Sequence, residues 1–412
     1  MLGVIADDFT GASDIASFLV ENGLRTVQMN GVPNGVLEEE VDAIVISLKS
    51  RSNPVKEAIQ QSLAALHWLQ KNGATQFYFK YCSTFDSTAE GNIGPVTDAL
   101  LDELKEDFTI ITPALPVNGR TIFNGYLFVG QVLLNESGMQ NHPITPMTDA
   151  NLLRLMDRQA KGKTGLVPYA EVIKGAENVK RCFAQLKQQG YRYAVVDAVD
   201  NSQLDVLAQA VDDMKLVTGG SGLAAYMAQH QVQGKQHQAF VPAKGKTVIL
   251  SGSCSVMTNK QVADYQQKAA TKWLDVSQCL SQDNYVEELF SWVVAHLNDQ
   301  YAPLVYATVP PEQLKQIQQQ FGADTASKAI EETFAQLAAR LRDYGVTNFI
   351  TAGGETSSIV VQQLGFKGFR IGKQIAPGVP WLAALDAPIY LALKSGNFGK
   401  EGFFSQAQEM MQ

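Results

Sequence analysis

Two neighbouring carboxylates follow the first apolar segment of the chain. Asp7 and Asp8 come directly after the run LGVIA, and Thr10 and Gly11 follow in a tight-turn composition. One acidic side chain is enough to cap the helix that is expected next. A second carboxylate therefore indicates a function, which could be binding sugar hydroxyls, orienting a metal ion or accepting a proton.

Further polar residues follow two later apolar runs. Lys80 could meet a carboxylate or phosphate, and Ser83 and Asp86 on the same hydroxyl-rich loop could bind hydroxyl groups. Arg120 lies on a glycine-flanked turn, and its guanidinium matches a carboxylate with two parallel hydrogen bonds. An ordinary surface arginine is the alternative interpretation of Arg120. The candidate ligand-binding residues of this half are Asp7, Asp8, Lys80, Ser83, Asp86 and Arg120.

Two more segments of this half carry weaker signals. The proline-bearing segment 142–147 is a candidate cover for the pocket, with a structural histidine at position 142 as the alternative. The glycine-rich segment 218–222 could receive an anion at the start of a helix. It fits any tight strand-to-helix turn equally well.

Three loops of small residues mark the C-terminal half. Residues 251–255, 351–357 and 394–399 each follow an apolar segment. Because the carboxyl ends of parallel strands share one edge of a sheet, we expect these loops to converge. Their backbone N–H groups could then approach phosphate oxygens. Glu355 is placed to contact Mg²⁺ or a water near the phosphates, whereas Cys254 is interpreted as a packing residue because no histidine follows it nearby.

Short apolar runs alternate with amphipathic segments along the whole chain. This pattern indicates parallel strands joined by crossover helices. The polar segment 233–246 interrupts the alternation, which restarts at residue 247. We therefore predict an α/β protein of two domains, residues 1–232 and 247–412, each built on a mainly parallel sheet flanked by helices and joined by the linker 233–246.

The composition limits the classes of partner. The 412 residues carry a formal net charge of -8, and no basic stripe is visible, so a nucleic-acid partner is not expected. The four cysteines are far apart, which favours free thiols in a reduced compartment. No apolar run is long enough for a membrane span, and the N-terminus lacks a signal-peptide pattern. A cytoplasmic protein is therefore expected.

Several enzyme classes lack their motifs here. There is no GxxxxGK[ST] loop, no HRD or DFG sequence, no GxSxG and no HExxH, and the five histidines have no metal-ligand spacing. A sugar-acid dehydrogenase shares the α/β pattern, but no GxGxxG opens either half. A two-lobed sugar-acid sensor is a further alternative, in which the C-terminal glycine loops would have no purpose.

Four motifs resemble those of the four-carbon acid sugar kinases. They are IADDFTGASD, KYCSTFDST with the following GNIGP, TAGGETS and LKSGNFG, and the resemblance runs from about residue 2 to residue 405. It implies an N-terminal sugar-acid domain and a C-terminal nucleotide domain. It also implies transfer of the ATP γ-phosphate, with Mg²⁺, to the terminal hydroxyl of a four-carbon sugar acid. A 3-oxo-tetronate is the expected acceptor in threonate and erythronate breakdown, with D-threonate or D-erythronate as alternatives.

The resemblance also assigns residues to the two ligands. Acid-sugar contacts fall on the Asp7–Asp8 loop and the 80–88 loop. Residues 82–87 depart from the family, since they read CSTFDS where many members have a VDSTLR-type string. The family's arginine is therefore absent, which leaves the carboxylate-binding residue open. The residues assigned to ATP are Ser251, Ser253, Ser255, Gly353, Gly354, Glu355, Thr356 and Gly396.

The expected mechanism is direct in-line phosphoryl transfer between the domains. A carboxylate takes or orients the proton of the attacking hydroxyl, with Asp8 as the first candidate, then Asp7, then Asp86. Closure of the domains would exclude water and limit ATP hydrolysis. The residues that hold Mg²⁺ stay open, as does a homo-oligomeric state.

Overall fold

The computed structural model describes residues 1–141, 145–232 and 239–412. It divides the chain into two compact units, residues 1–238 and 239–412. The segment 142–144, which contains the histidine of the candidate cover, lies outside the described residues, and so does 233–238 of the predicted linker.

The first unit is built on a sheet in which every strand pairing is parallel. Its strands run in the order β2-β3-β1-β4-β11-β5-β10-β9, and β6, β7 and β8 form a separate antiparallel sheet. Every residue of β1 and β3 is buried, as expected for parallel strands covered by helices on both faces. The strands are β1 (Leu2–Ala6), β2 (Thr26–Asn30), β3 (Ala43–Ser47), β4 (Gln76–Lys80), β5 (Thr109–Thr112), β6 (Arg120–Phe123), β7 (Tyr126–Val129), β8 (Val132–Leu133), β9 (Thr164–Val167), β10 (Tyr193–Val196) and β11 (Leu216–Gly219).

The helices of the first unit connect these strands. They are α1 (Phe9–Glu21), α2 (Val55–Lys71), α3 (Ile93–Leu104), α4 (Leu152–Gln159), α5 (Tyr169–Val172), α6 (Ala176–Gln188), α7 (Asn201–Ala210) and α8 (Ser221–Gln231). Short 3₁₀ turns cover Pro116–Asn118, Leu134–Glu136 and Gly138–Asn141.

The register of three adjacent strands determines where the loops of the candidate site in the first unit begin. Ala6 at the end of β1 pairs with Ser47 of β3 on one side and with Lys80 of β4 on the other. The three strands therefore end level with one another. The loops that follow them start side by side at the carboxyl edge of the sheet, where ligands bind in open α/β sheets.

The second unit has a mixed sheet. Its strands run in the order β13-β14-β12-β15-β18-β17-β16, parallel from β13 to β18 and antiparallel for β17 and β16. Trp381 and Phe403 are fully buried in its core together with Tyr265 and Ile350. The strands are β12 (Thr247–Ser251), β13 (Thr271–Trp273), β14 (Leu304–Tyr306), β15 (Asn348–Ala352), β16 (Gly368–Ala376), β17 (Val379–Ala384) and β18 (Tyr390–Lys394).

The helices of the second unit lie between its strands, except for the last helix, which follows the last strand. They are α9 (Val256–Gln266), α10 (Val276–Ser281), α11 (Tyr285–His296), α12 (Pro311–Phe321), α13 (Ala323–Asp343), α14 (Gly354–Leu364) and α15 (Phe403–Glu409). None of the helices in the described part of the chain combines the length and the apolar character that crossing a bilayer requires.

The predicted fold class is confirmed, with additions. Sequence alternation did not predict the β16–β17 hairpin, which is turned by Pro377 and by Gly378 at φ +77°. Residues 239–246 pack on the second unit: the carbonyl of Phe240 accepts from Lys373 N at 2.8 Å, and the carbonyl of Pro242 accepts from Gln412 N at 3.0 Å. This part of the predicted linker is therefore attached to the second unit.

Candidate active site

Arg51 lies among the three carboxylates of the first unit. Its guanidinium binds both carboxylate oxygens of Asp7, at 2.9 and 3.0 Å, and lies 2.9 Å from Asp8 Oδ1 and 3.6 Å from Asp86 Oδ2. Asp7 and Asp8 follow β1, Arg51 follows β3 and Asp86 follows β4, so the level strand ends bring them together. We call this group the Arg51 cluster: Asp7, Asp8, Arg51 and Asp86.

The two adjacent aspartates differ in environment. The side chain of Asp7 is 6% exposed and that of Asp8 is 27% exposed. Burial raises the pKa of Asp7, and Arg51 offsets only part of this effect. Burial also acts on Asp8, but Arg51 and Lys80 outweigh it and hold the pKa of Asp8 below its ordinary value. Asp8 is therefore an ionised carboxylate that a ligand can reach.

Asp8 is also the N-cap of α1. Its Oδ1 accepts from Gly11 N at 2.9 Å, and its Oδ2 accepts from Thr10 Oγ1 at 2.9 Å. A side chain at Gly11 would place a Cβ 2.2 Å from Asp8 Oδ1 and 3.1 Å from Lys80 Nζ. A larger residue at this position would therefore displace the carboxylate of Asp8 from the position described here. The capping interpretation of Asp8 is correct, and it coexists with the contact to Arg51.

The loop after β4 holds Asp86 in place through an uncommon backbone conformation. Phe85 has φ +49° and is fully buried, with its ring edge-on to Tyr81 at 5.6 Å between centroids. A positive φ costs a residue with a side chain about 1–2 kcal/mol, and such conformations concentrate at functional sites. Thr84 Oγ1 donates to Asp86 Oδ1 at 2.6 Å and fixes the carboxylate.

Asn92, in the GNIGP motif, positions the loop that carries Arg51. Its Nδ2 donates to the carbonyls of Ser50 at 2.7 Å, Arg51 at 3.2 Å and Asn53 at 2.8 Å. Asn92 is buried, so these bonds form away from competing water. The motif therefore supports the site indirectly.

Lys80 and Asp14 form a second charged group beside the Arg51 cluster. Lys80 is 3% exposed, and its Nζ donates to the carbonyl of Tyr81 at 2.7 Å. Asp14 accepts a short hydrogen bond from Ser221 Oγ, while its Oδ1 is buried without a hydrogen-bond partner. Burial raises the pKa of Asp14, and Lys80 acts in the opposite direction. Asp14 was not among the residues predicted from sequence, although it lies in the IADDFTGASD motif.

Among the described residues, no hydrogen bond or ion pair joins the remaining predicted residues of this half, Ser83 and Arg120, to the three carboxylates. Ser83 is half-buried on the 80–88 loop. Arg120 donates to the carbonyl of Asn118 in its own turn, and its Nε is buried without a hydrogen-bond partner. No hydrogen bond or ion pair joins Arg120 to Asp8 or the rest of the Arg51 cluster. The structure therefore brings Asp7, Asp8 and Asp86 together around an arginine that the sequence analysis did not select.

The glycines of segment 218–222 are explained by packing. A Cβ at Gly219, Gly220 or Gly222 would lie 2.6–2.8 Å from the carbonyl oxygens of residues 112–114. Asp197, which follows β10, accepts from three backbone N–H groups, those of Asn124, Gly125 and Tyr169. Both features hold the fold together and favour the ordinary strand–helix interpretation of segment 218–222.

In the second unit the three small-residue loops meet, as their placement after parallel strands predicted. The N–H groups of Gly252 and Ser253 donate to the carbonyl of Ala352 at 3.0 and 3.1 Å, and Gly353 N donates to the carbonyl of Lys394 at 2.8 Å. A Cβ at Gly396 would lie 2.7 Å from Ser253 Oγ. We call this group the three-loop cluster: residues 251–255, 353–356 and 394–396.

Two adjacent glycines have different roles in this cluster. Gly353 has φ +127°, and a Cβ there would lie 3.1 Å from both Ser253 N and Thr356 Oγ1. Gly354 begins α14, and a Cβ there would meet no atom within 4 Å. The helix has no side-chain cap, so the first N–H groups of α14 are available to an anion in the open space beside Gly354.

The serines of the 251–255 loop also have different roles, because one is buried and two are half-buried. Ser251 is fully buried, and its hydroxyl lies 2.7 Å from Thr308 Oγ1, which gives it a packing role. Ser253 and Ser255 are half-buried, and Ser255 caps α9 by accepting from Thr258 N at 3.2 Å. Burial raises the pKa of Cys254, which agrees with its interpretation as a packing residue.

Glu355 is the acidic residue of the three-loop cluster. It is exposed in the first turn of α14. Partial burial of its carboxylate raises its pKa, and the nearby carboxylate of Glu331 raises it further. A pair of mutually repelling carboxylates suits a divalent cation, and Mg²⁺ commonly takes one or two carboxylates together with substrate phosphates. Within residues 1–141, 145–232 and 239–412, no group of three metal-binding side chains occurs.

Comparisons with known proteins agree with this division into two sites. A family described as a sugar-binding N-terminal domain matches residues 2–227, and one described as a nucleotide-binding C-terminal domain matches residues 248–404. A Haemophilus influenzae protein named 3-oxo-tetronate kinase is 76% identical, with 100% of both chains covered. A Salmonella typhimurium protein of the same name is 56% identical, and the match covers 100% of this chain and 99% of that protein.

A solved structure has the same fold. The crystal structure of a Haemophilus influenzae protein superposes with a TM-score of 0.90 at 75% identity, and both chains are covered over 100% of their length. The matches in sequence and structure extend over both units. The chain therefore belongs to the four-carbon acid sugar kinase family, together with the 3-oxo-tetronate kinases.

Proposed function

We propose that the protein transfers the γ-phosphoryl group of ATP to the terminal hydroxyl of a 3-oxo-tetronate and forms the 4-phosphate. The observation that carries this proposal is the 76% identity, over the full length of both chains, to a 3-oxo-tetronate kinase. D-Threonate and D-erythronate are the alternative acceptors within the same family.

The Arg51 cluster supports a role in orienting the attacking hydroxyl. Asp8 is the best candidate because it is ionised and the more exposed of the adjacent pair. Asp7 is bound by Arg51 through both oxygens, and Asp86 is buried, so they follow Asp8 as candidates. Phosphoryl transfer passes through a loose transition state, so positioning and a proton acceptor suffice without a strong base.

The substrate carboxylate needs a cation that is not already paired with acids. Arg51 is engaged by three carboxylates, and a further anion beside them would be repelled. Within the described part of the chain, Arg120 forms no ion pair with an acidic residue, and its buried Nε has no acceptor. Its position at the start of β6, just after the turn that follows β5, supports Arg120 as the residue that binds the substrate carboxylate, in the place of the arginine that the family motif has and this chain lacks.

The three-loop cluster supports binding of the ATP phosphates. Gly354, Glu355 and Thr356 open α14 with no side-chain cap. Ser253 lies beside Gly353, which precedes them, and Gly396 lies beside Ser253. Phosphates at a helix N-terminus gain from both the free N–H groups and the helix dipole. Ser251 is the weakest of the predicted contacts because its side chain is buried.

Mg²⁺ would be held by Glu355 and the ATP phosphates. When bound there, the ion would supply positive charge to offset the charge that develops on the phosphates during transfer. We also place the reaction in the cytoplasm, where ATP is available, and the four cysteines are free thiols. The oligomeric state stays a prediction, which light scattering of the purified protein will test.

The experiment is an ADP-release assay with the purified protein, ATP and Mg²⁺. A 3-oxo-tetronate, D-threonate and D-erythronate are supplied separately, and each is also tested with NAD in place of ATP. We expect ADP release with one of these acids and no reduction of NAD. Release with none of the acids, or with ATP alone at the same rate, would contradict the proposed function.

A further inference from the structure

Lys394 is a fully buried lysine at the end of β18. Its Nζ donates to Thr258 Oγ1 at 2.9 Å, to the carbonyl of Gly396 at 2.8 Å and to the carbonyl of Ser395 at 3.1 Å. These three acceptors match the three protons of an ammonium group. All three are neutral, so they leave the positive charge without a counter-charge.

The elements packed around Lys394 supply no counter-charge either. β15 pairs with β18 and places Ala352 opposite Lys394, while α9 presents Thr258. Among the described residues, no ion pair or hydrogen bond joins Lys394 to a titratable side chain of these elements or of the adjoining loops. Those side chains are Cys254, Lys260, Asp264, Tyr265, Glu355, Tyr390, Lys400 and Glu401.

An unpaired buried charge is unfavourable because it has lost its hydration. Burial accordingly lowers the pKa of Lys394 to about 7. The amine is therefore divided between its charged and neutral forms near neutral pH. Any anion that binds nearby will favour the charged form and will raise this pKa.

Lys394 is the buried first residue of the third loop of the three-loop cluster. The carbonyl of Gly396 accepts a hydrogen bond from Lys394 Nζ. The Cα of Gly396 faces Ser253 and Ser255, and a Cβ on Gly396 would be 2.7–3.0 Å from their side chains. Thr258 links the same carbonyl to the first turn of α9 through a 2.7 Å hydrogen bond. The charge thus lies one peptide group away from the surface on which phosphates are proposed to bind.

We propose that the missing counter-charge of Lys394 is supplied by the phosphates of the nucleotide, so that nucleotide binding is coupled to uptake of a proton by this side chain. The inference rests on the proposed nucleotide site and adds a function for a residue that does not touch the ligand. Lys394 is a positioning residue, since it also holds the Gly396 carbonyl and the start of α9 through Thr258.

The test is calorimetry of ADP binding, with Mg²⁺, in two buffers of different ionisation enthalpy. At pH 8.5 the phosphates of ADP are already ionised, since their last pKa lies near 6. Lys394 in the free protein is then mostly neutral. We expect uptake of between about half a proton and one proton per ADP bound, and an ADP affinity that falls by up to tenfold per pH unit from about pH 7.5 to 8.5.

Lys394→Met removes the charge and keeps most of the side-chain volume. The matched control is Lys260→Met on α9, because Lys260 is exposed and pairs with Glu401 at 3.4 Å. We expect proton uptake to disappear in Lys394→Met and to persist in the control. Uptake that persists in Lys394→Met overturns the proposal.

The wild-type protein gives a result that does not depend on the folding of a variant. Affinity for ADP that is independent of pH between 7.5 and 8.5, with no proton uptake, overturns the coupling while leaving the nucleotide site intact. Failure of the wild-type protein to bind ADP at all refutes the nucleotide site itself, and with it the proposal.

Discussion

Gly354 offers a direct test of the nucleotide site, because a side chain there meets no protein atom. A Cβ at Gly354 has nothing within 4 Å, and its φ is compatible with other residues. Gly354→Val should therefore leave the free energy of unfolding within about 1 kcal/mol of the wild type. The same substitution at Gly353 would force φ +127° on a branched residue and should destabilise the fold by about 1–3 kcal/mol.

The expected effect of Gly354→Val on ADP binding follows from the hydrogen bonds that it would block. A hydrogen bond to a charged group contributes about 1.5–3 kcal/mol, so loss of one N–H contact to a phosphate weakens binding about 10- to 150-fold. Calorimetry with ADP measures this directly. Binding of the acid sugar, which depends on the first unit, should be unchanged.

The matched control is Gly402→Val. Gly402 precedes α15 in the same unit, and a Cβ there also meets nothing within 4 Å. It should bind ADP as the wild type does. Wild-type ADP affinity in a folded Gly354→Val protein would remove the start of α14 from the nucleotide site and refute the reasoning.

Four further predictions concern Asp8 as the base, Arg120 as the residue that binds the substrate carboxylate, the buried Lys394, and the division of the chain into two units. Asp8→Asn keeps the helix cap but removes the proton acceptor, so turnover with saturating substrate should fall about 10²- to 10⁴-fold while ADP binding is unchanged; near wild-type turnover would make Asp8 only a cap. Arg120→Met should raise the KM for the acid sugar at least tenfold without changing the KM for ATP, whereas Arg158→Met, at an exposed position of α4, should change neither. Lys394 has a pKa of about 7 when folded and near 10.4 when unfolded, so the unfolded chain binds more protons between these values and the wild type gains stability with rising pH. The difference in Tm between the wild type and Lys394→Met should shift in favour of the wild type from pH 7 to 9, and a constant difference would contradict this. Separate expression of residues 1–238 and 239–412 should give two cooperative melts, and the absence of both would refute the division.

The parts of the fold that could be predicted from sequence were those with continuous apolar strands. β1, β3 and β12 are buried over their whole length, so their continuous apolar sequences are enough to identify them as strands. Convergence of the three small-residue loops followed from one rule, that parallel strands end at a common edge. The β16–β17 hairpin was missed because the exposed Arg370 and Lys373 interrupt the buried residues of its first strand and Pro380 lies in its second strand.

The site residues that were missed needed tertiary information. Arg51 lies in the polar segment LKSRSNP, which looks like any surface loop until the register of β1 and β3 places it beside Asp7. Lys394 ends an apolar strand, where a lysine ordinarily reaches solvent. Its complete burial depends on Thr258 and Gly396, which are distant from one another in sequence. Contacts between residues so far apart in sequence have no local signature.

The position of the phosphate in the product shows directly whether the protein phosphorylates the terminal hydroxyl of a 3-oxo-tetronate. The wild-type protein is incubated with ATP, Mg²⁺ and a 3-oxo-tetronate, and the product is examined by phosphorus NMR with coupling to protons. We expect a phosphomonoester whose phosphorus couples to the two protons of the terminal carbon, with one ADP formed per phosphoester. A phosphoester on another oxygen, or ADP formed together with free phosphate and no phosphoester, would contradict it.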